Sequence, residues 1–111
     1  MRRSDRAALQ ARASVFAALG DATRLTVLAK LCRGEPHSIS RLTEGTKLSR
    51  QAVTRHLRVL EEVGVVRSVR VGRESLFAFK SEPIDDIKMY LDAVSMQWDD
   101  TLARLKSLVE D

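Results

Sequence analysis

A mainly α-helical fold with one β-hairpin, in the order α-α-α-α-β-β-α, is predicted by three features of the 111-residue sequence. Apolar residues recur at helical spacing through residues 4–63 and again through 83–109. Between these stretches, from 65 to 80, the apolar period drops to two, the mark of strands. Capping residues and glycines punctuate the helical stretches where they would begin and end.

The first helix runs from Ser4 to Leu19, with Leu9, Ala13, Phe16 and Leu19 in register and Ser4 or Asp5 as N-cap. Gly20 breaks it, and Asp21 caps a second helix that turns Leu25, Leu28, Leu31 and Cys32 inward before Arg33-Gly34 ends it. Glu35-Pro36 connects to a short helix over 39–44, capped by Ser38, with Ile39 and Leu42 buried. Gly45 turns the chain, Ser49 caps a fourth helix over 50–63, and Gly64 stops it. Val65, Arg67, Val69 and Val71 then alternate with Val66, Ser68 and Arg70. Gly72-Arg73 makes a tight turn into a returning strand that holds Leu76, Phe77 and Phe79. Pro83 opens a last helix that reaches Val109.

The length fits one domain, 1–111. A single cysteine, Cys32, excludes an intrachain disulfide. Apolar runs of about five residues fall far short of the ~18 that span a bilayer. The N-terminal MRRSDRAALQAR carries no uninterrupted apolar core of a signal peptide. A soluble, cytoplasmic protein without membrane association is expected. Its charge is unevenly distributed: residues 1–80 carry 13 Arg and 3 Lys against 7 acids, a balance of +9, whereas residues 81–111 carry 3 basic residues against 8 acids, a balance of −5. A basic body with an acidic last segment points to a polyanionic partner for the body. No glycine-rich phosphate loop or nucleophile elbow occurs, so an enzyme is not expected.

The segment over 38–63 combines a short helix, a turn at Gly45 and a second capped helix, the layout of a helix-turn-helix. On its second helix Ala52, Val53, Leu57 and Leu60 form the apolar stripe. The opposite face carries Arg50, Gln51, Thr54, Arg55 and Arg58, and no acid lies between Ser49 and Leu60. Such a face presents hydrogen-bonding groups to base edges in a major groove. Arg50, Gln51, Thr54 and Arg55 are the expected base readers, and Lys47, Ser49 and Arg58 the expected phosphate contacts. Arg67, Arg70 and Arg73 gather around the Gly72 turn as a basic wing, over about 65–80, for a phosphate or the minor groove.

The last helix carries Ile87, Leu91, Val94, Trp98, Leu102, Leu105 and Val109 at spacings of 4, 3, 4, 4, 3 and 4. That stripe is longer than a monomer of this size covers. It is expected to pack with Leu9, Ala13 and Phe16 of the first helix and with its own mate across a two-fold axis, making a homodimer with Trp98 in the interface core.

With these motifs in view, the stretch over about 13–80 resembles the winged helix-turn-helix regulators of the ArsR/SmtB family. The resemblance rests on L-G-D-x-T-R-L from Leu19, S-x-x-A-V-T-x-H-L from Ser49 to Leu57, and L-x-x-x-G-V-V from Leu60 to Val66. It implies a homodimeric repressor that binds double-stranded DNA, at an inverted-repeat operator, and leaves it when an inducer is sensed. Metal-sensing relatives carry a Cys-x-Cys pair where this chain has Ser38 and Ser40, and others use His and carboxylates in the last helix, which here has no His. Hydroxyls are poor ligands for soft or borderline metals, so no metal and no cofactor are expected. The aspartates of the last helix read as a solvated face, His37 as exposed, His56 as a core-edge or phosphate-contacting residue, and Cys32 as a buried, inert thiol. The alternatives are a winged-helix protein-interaction module that binds no DNA and a metal-responsive repressor with a non-standard site.

Overall fold

The structure, a computed structural model, describes residues 2–110. Five helices and three strands follow in the order α1 (Arg3–Leu19), α2 (Ala22–Leu31), β1 (His37–Ser38), α3 (Ile39–Thr43), α4 (Arg50–Glu62), β2 (Val66–Val71), β3 (Glu74–Phe79) and α5 (Glu82–Glu110). This is the expected winged helix-turn-helix order with one addition, β1. The strands form an antiparallel sheet in the order β1-β3-β2.

The α1–α2 corner shows how local chemistry bends the chain. Asp21 caps α2 by accepting the Arg24 amide at 2.9 Å. The Arg24 side chain folds back over the end of α1, where its Nε donates to the Ala18 carbonyl at 2.6 Å and its terminal nitrogen to that of Ala17 at 3.4 Å. A guanidinium thus satisfies the Ala18 carbonyl at the negative pole of the helix and adds a second donor to the Ala17 carbonyl, which also accepts the Gly20 amide at 3.2 Å. The L-G-D-x-T-R-L motif is therefore one capping unit serving two helices. At the other end, α1 starts on Arg2, whose side chain caps nothing. The expected caps Ser4 and Asp5 lie inside the helix, Asp5 in the first turn, where its charge suits the dipole.

The core joins Val15 and Ala18 of α1, Val27, Leu28 and Leu31 of α2, Leu42 of α3, Val53, Leu57 and Leu60 of α4, Val65, Val66, Phe77 and Ile87. Leu25 and Cys32, expected inside, are both exposed. At 3.6 residues per turn each lies roughly 90° or more from the centre of the arc formed by Val27, Leu28 and Leu31, beyond what the neighbouring elements cover.

Gly64 closes α4. Its φ of 81° lets the Val65 amide donate to the Leu60 carbonyl at 3.1 Å and the Gly64 amide to that of Glu61 at 3.0 Å, a Schellman motif. Its hydrophobic pair, Leu60 and Val65, is fully buried. Across the hairpin Val71 faces Glu74, leaving a two-residue turn. Gly72 takes φ 62° and Arg73 does not, as a type II′ turn requires.

β1 pairs His37 with Phe77 and Ser38 with Leu76. His37, expected to be exposed, is half-buried because this pairing covers the second edge of β3. Its Nδ1 donates to the Glu35 carbonyl at 2.7 Å, an acceptor that selects the Nδ1-protonated tautomer.

α5 anchors through Ile87 and Tyr90. Arg12 of α1 bonds Asp86 through Nε and a terminal nitrogen at 3.0 and 3.3 Å and lies 5.2 Å above the Tyr90 ring, and Phe16 packs obliquely against that ring. From Leu91 to Glu110 every residue of α5 is exposed.

Candidate nucleic-acid interface

The turn between α3 and α4 is stapled by threonines. Thr43 Oγ1 donates to the Ile39 carbonyl at 2.6 Å, Thr46 Oγ1 donates to the Thr43 carbonyl at 2.7 Å, and the Thr46 hydroxyl accepts the Leu48 amide at 3.3 Å. Gly45 turns the backbone with φ 74°. Lys30 reaches from α2 to the Leu42 carbonyl at 3.4 Å, fastening α3 to the body. The orientation of α4 is then set by Val53, Leu57 and Leu60, all 0% exposed. Because that stripe is locked inward, the opposite face is locked outward.

That face holds Arg50, Gln51, Thr54, Arg55 and Arg58, which with Ile39 line an open groove of about 490 Å³. Arg50, Gln51, Arg55 and Arg58 are exposed and Thr54 is half-buried. Among the described residues none of these arginines is engaged in an ion pair, since the pairs are Arg12–Asp86, His56–Asp21 and Lys106–Glu110. Guanidinium groups without internal partners keep their full donor sets for a ligand. Two of the smaller groups have internal tasks. Thr54 donates its hydroxyl to the Arg50 carbonyl at 2.7 Å, so it offers outward a methyl and an acceptor. Ser49 accepts the Ala52 amide at 3.1 Å as the α4 cap, and its hydroxyl proton remains available. Lys47 is exposed in the preceding turn, outside the groove.

The wing departs from a single cluster. Side chains alternate along β2, so Val66, Ser68 and Arg70 share one face and Arg67, Val69 and Val71 the other. Ser68 donates to Glu61 of α4 at 2.9 Å, which turns its face toward that helix. Arg67, opposite Ala78, therefore lies on the reverse side and away from the turn, whereas Arg70 donates to the Gly72 carbonyl at 3.4 Å. Arg73, at the turn itself, lines a second pocket together with Arg50.

His56 is half-buried at the inner edge of α4, its Nδ1 3.9 Å from Asp21. Cys32 is exposed, yet partial desolvation raises its thiol pKa above the ordinary value, which keeps the less reactive protonated form. The dimer candidates Leu9, Ala13 and Phe16 on α1, and Leu91, Val94, Trp98, Leu102 and Leu105 on α5, are all exposed in the single chain. Ile87 is 5% exposed and belongs to the core. Ser38, Ser40 and Ser75 line the pocket shared by Arg50 and Arg73 but were not legible as site residues; the first two stood out in the sequence as a helix cap and as positions without thiols.

Known proteins match this arrangement. Residues 11–69 match a helix-turn-helix domain family. An uncharacterised HTH-type transcriptional regulator of Bacillus subtilis, YuzN, is 34% identical over 80 residues, covering 67% of this chain and 87% of its own. The solved structure of an ArsR-like transcriptional regulator from Rhodococcus sp. RHA1 is 37% identical, covers 90% of this chain and 93% of its own, and superposes with a TM-score of 0.80. A homodimeric winged helix-turn-helix DNA-binding domain from Mycobacterium bovis shares the fold at 21% identity and a TM-score of 0.70, covering 87% of this chain and 89% of its own. With its recognition face, wing and capping motifs, the chain belongs to the ArsR-like family of winged helix-turn-helix transcriptional regulators.

Proposed function

We propose that the protein is a homodimeric, sequence-specific repressor of its own or a neighbouring operon, acting in the cytoplasm on an inverted-repeat operator and released by a signal. The observation that carries this reading is the outward face of α4, whose exposed arginines have no acidic partner among the described residues. In a major groove Gln51, Thr54 and Arg55, with Arg50 at the start of the helix, meet base edges, while Lys47, Ser49 and Arg58 hold phosphates. Arg67, Arg70 and Arg73 contribute from the wing. The apolar stripe of α5, with Leu9, Ala13 and Phe16, supplies the dimer contact. The homodimeric state of the Mycobacterium bovis domain supports that assignment by analogy of fold. Two-fold symmetry brings two α4 helices to successive major grooves, about 34 Å apart.

Footprinting on the protein's own promoter, followed by binding to base-substituted operators at several salt concentrations, tests the reading. Arg55→Ala is expected to relax sequence preference at one position, since a bidentate base contact supplies roughly 1–3 kcal/mol of discrimination. Lys47→Ala is expected to weaken all sequences alike and to lower the salt slope by about one. Identical behaviour of the two variants would refute this division of roles. Absence of any DNA binding at low salt would favour a protein-interaction module instead.

A further inference from the structure

A second pocket, of about 260 Å³, opens where three elements meet. Ser38 and Ser40 come from the start of α3, Arg50 from the start of α4, and Arg73, Glu74 and Ser75 from the hairpin. Nothing local in the sequence joins these residues. The pairing of Ser38 with Leu76 carries the hairpin to α3, and the α3–α4 turn carries Arg50 to the same place.

Apart from Ile39, the lining is polar, and its donors outnumber its one carboxylate. Neither guanidinium is in an ion pair with a described residue. The Ser40 and Ser75 hydroxyls make no hydrogen bond to another described residue. Ser38 Oγ accepts the Arg41 amide at 3.1 Å, which leaves its proton free to be donated outward. Against two guanidiniums and three hydroxyls stands one carboxylate, Glu74, so the formal charge of the lining is +1. Tetrahedral oxyanions match paired guanidinium forks and short hydroxyl donors. A net charge of +1 matches a phosphodiester, which carries a single negative charge, better than a dianionic phosphate.

We propose that this pocket is a seat for a singly charged phosphodiester, filled by one phosphate of the DNA backbone and held jointly by the recognition helix and the wing. This rests on the reading of the protein as DNA-binding. It adds Ser40 and Ser75 to the DNA contacts and gives Glu74 a restraining role. One phosphate gripped from both sides fixes the angle between hairpin and α4, so the wing sets the register in which α4 enters the groove.

The test uses the full-length protein with three variants, Ser40→Ala/Ser75→Ala, Glu74→Gln and Arg73→Ala. The double serine variant should lose about tenfold or more in affinity, equally for operator and unrelated DNA, with an unchanged salt slope, because it removes hydrogen bonds and no charge. Arg73→Ala should lower that slope by about one. Glu74→Gln should tighten binding to every sequence, a gain that a damaged fold does not produce. In parallel, dimethyl phosphate and inorganic phosphate are titrated into DNA-free protein while the amide resonances of Ser38, Ser40 and Ser75 are followed. Saturable shifts with dimethyl phosphate and weaker ones with inorganic phosphate support a diester seat. Preferential binding of inorganic phosphate, with release of DNA beyond that caused by chloride at equal ionic strength, would replace the backbone with a free oxyanion as occupant and overturn the proposal. DNA affinity unchanged in the serine and Glu74 variants would also overturn it while leaving the DNA-binding reading intact. If the wild-type protein binds no DNA, that reading falls, and the backbone phosphate falls with it even where the pocket amides still respond to dimethyl phosphate.

Discussion

Arg24 and Asp21 show how much of the architecture hangs on two side chains. One guanidinium closes α1, and one carboxylate opens α2, within a four-residue span. Arg24→Ala strips the Ala18 carbonyl of a charge-assisted donor and is expected to cost roughly 1.5–3 kcal/mol in urea unfolding. The Asp21 carboxyl is held below its ordinary pKa, first by the Arg24 amide and then by the charges of Arg24 and His56, against an opposing desolvation. A carboxylate favoured by the folded state contributes stability that is fully present above its unfolded pKa, near 3.9, and is lost as pH falls through the lower folded value. Asp21→Asn keeps an acceptor at the cap without the charge. Urea midpoints followed from neutral pH into the acid range should therefore fall less steeply for Asp21→Asn than for the wild type.

At the scale of elements, α4 depends on its ends as well as on its stripe. Its C-terminus requires a left-handed residue, and Gly64 provides one with φ 81°. A Cβ there meets Pro83 Cγ at 3.5 Å, an ordinary contact, so the cost of Gly64→Ala comes from the backbone and is expected to be about 1–2 kcal/mol. Leu57→Ala, at a site with no exposed surface, should cost about 2–5 kcal/mol through lost burial and a residual cavity. Calorimetric midpoints of the two variants check both the order and the size. The hairpin is a different kind of element. β2 has only Val66 buried, and its remaining residues are exposed, so its position follows from pairing with β3 and from Ser68–Glu61 more than from packing.

The whole molecule is far from spherical. Its radius of gyration is 18.6 Å, against about 13 Å for a compact chain of this length. The excess is α5, whose outer part stands clear of the body with Trp98 61% and Leu102 44% exposed. Because those side chains touch no core, Trp98→Asp and Leu102→Asp leave the monomer's interior intact. In the proposed dimer each would bury an unpaired charge, which is strongly unfavourable. Sedimentation at micromolar concentration should find the wild type dimeric and both variants folded and monomeric, with operator binding lost although every DNA-facing residue is present. A wild-type monomer, or a Trp98→Asp dimer with normal operator affinity, would remove α5 from the interface.

What the sequence determined by itself was whatever depends on neighbours along the chain. The caps at Asp21, Ser38 and Ser49 act over three residues, the buried stripe of α4 repeats every turn, and the glycine turns at 45, 64 and 72 are single-residue events. These local rules carried the element order and the composition of the α4 face. The tertiary structure decided the rest. A two-residue strand such as β1 has no period to read, and it exists because β3 has a second edge to cover. Leu25 and Cys32 share a hydrophobic reading with Leu28 and Leu31, but the width of the buried arc is set by the elements that pack on α2. Alternation alone puts Arg67 and Arg70 on opposite faces of β2, but only the Ser68–Glu61 contact decides which of those faces lies toward α4. Arg50 and Arg73 share one pocket through strand pairing between distant segments, a non-local contact that no local pattern encodes.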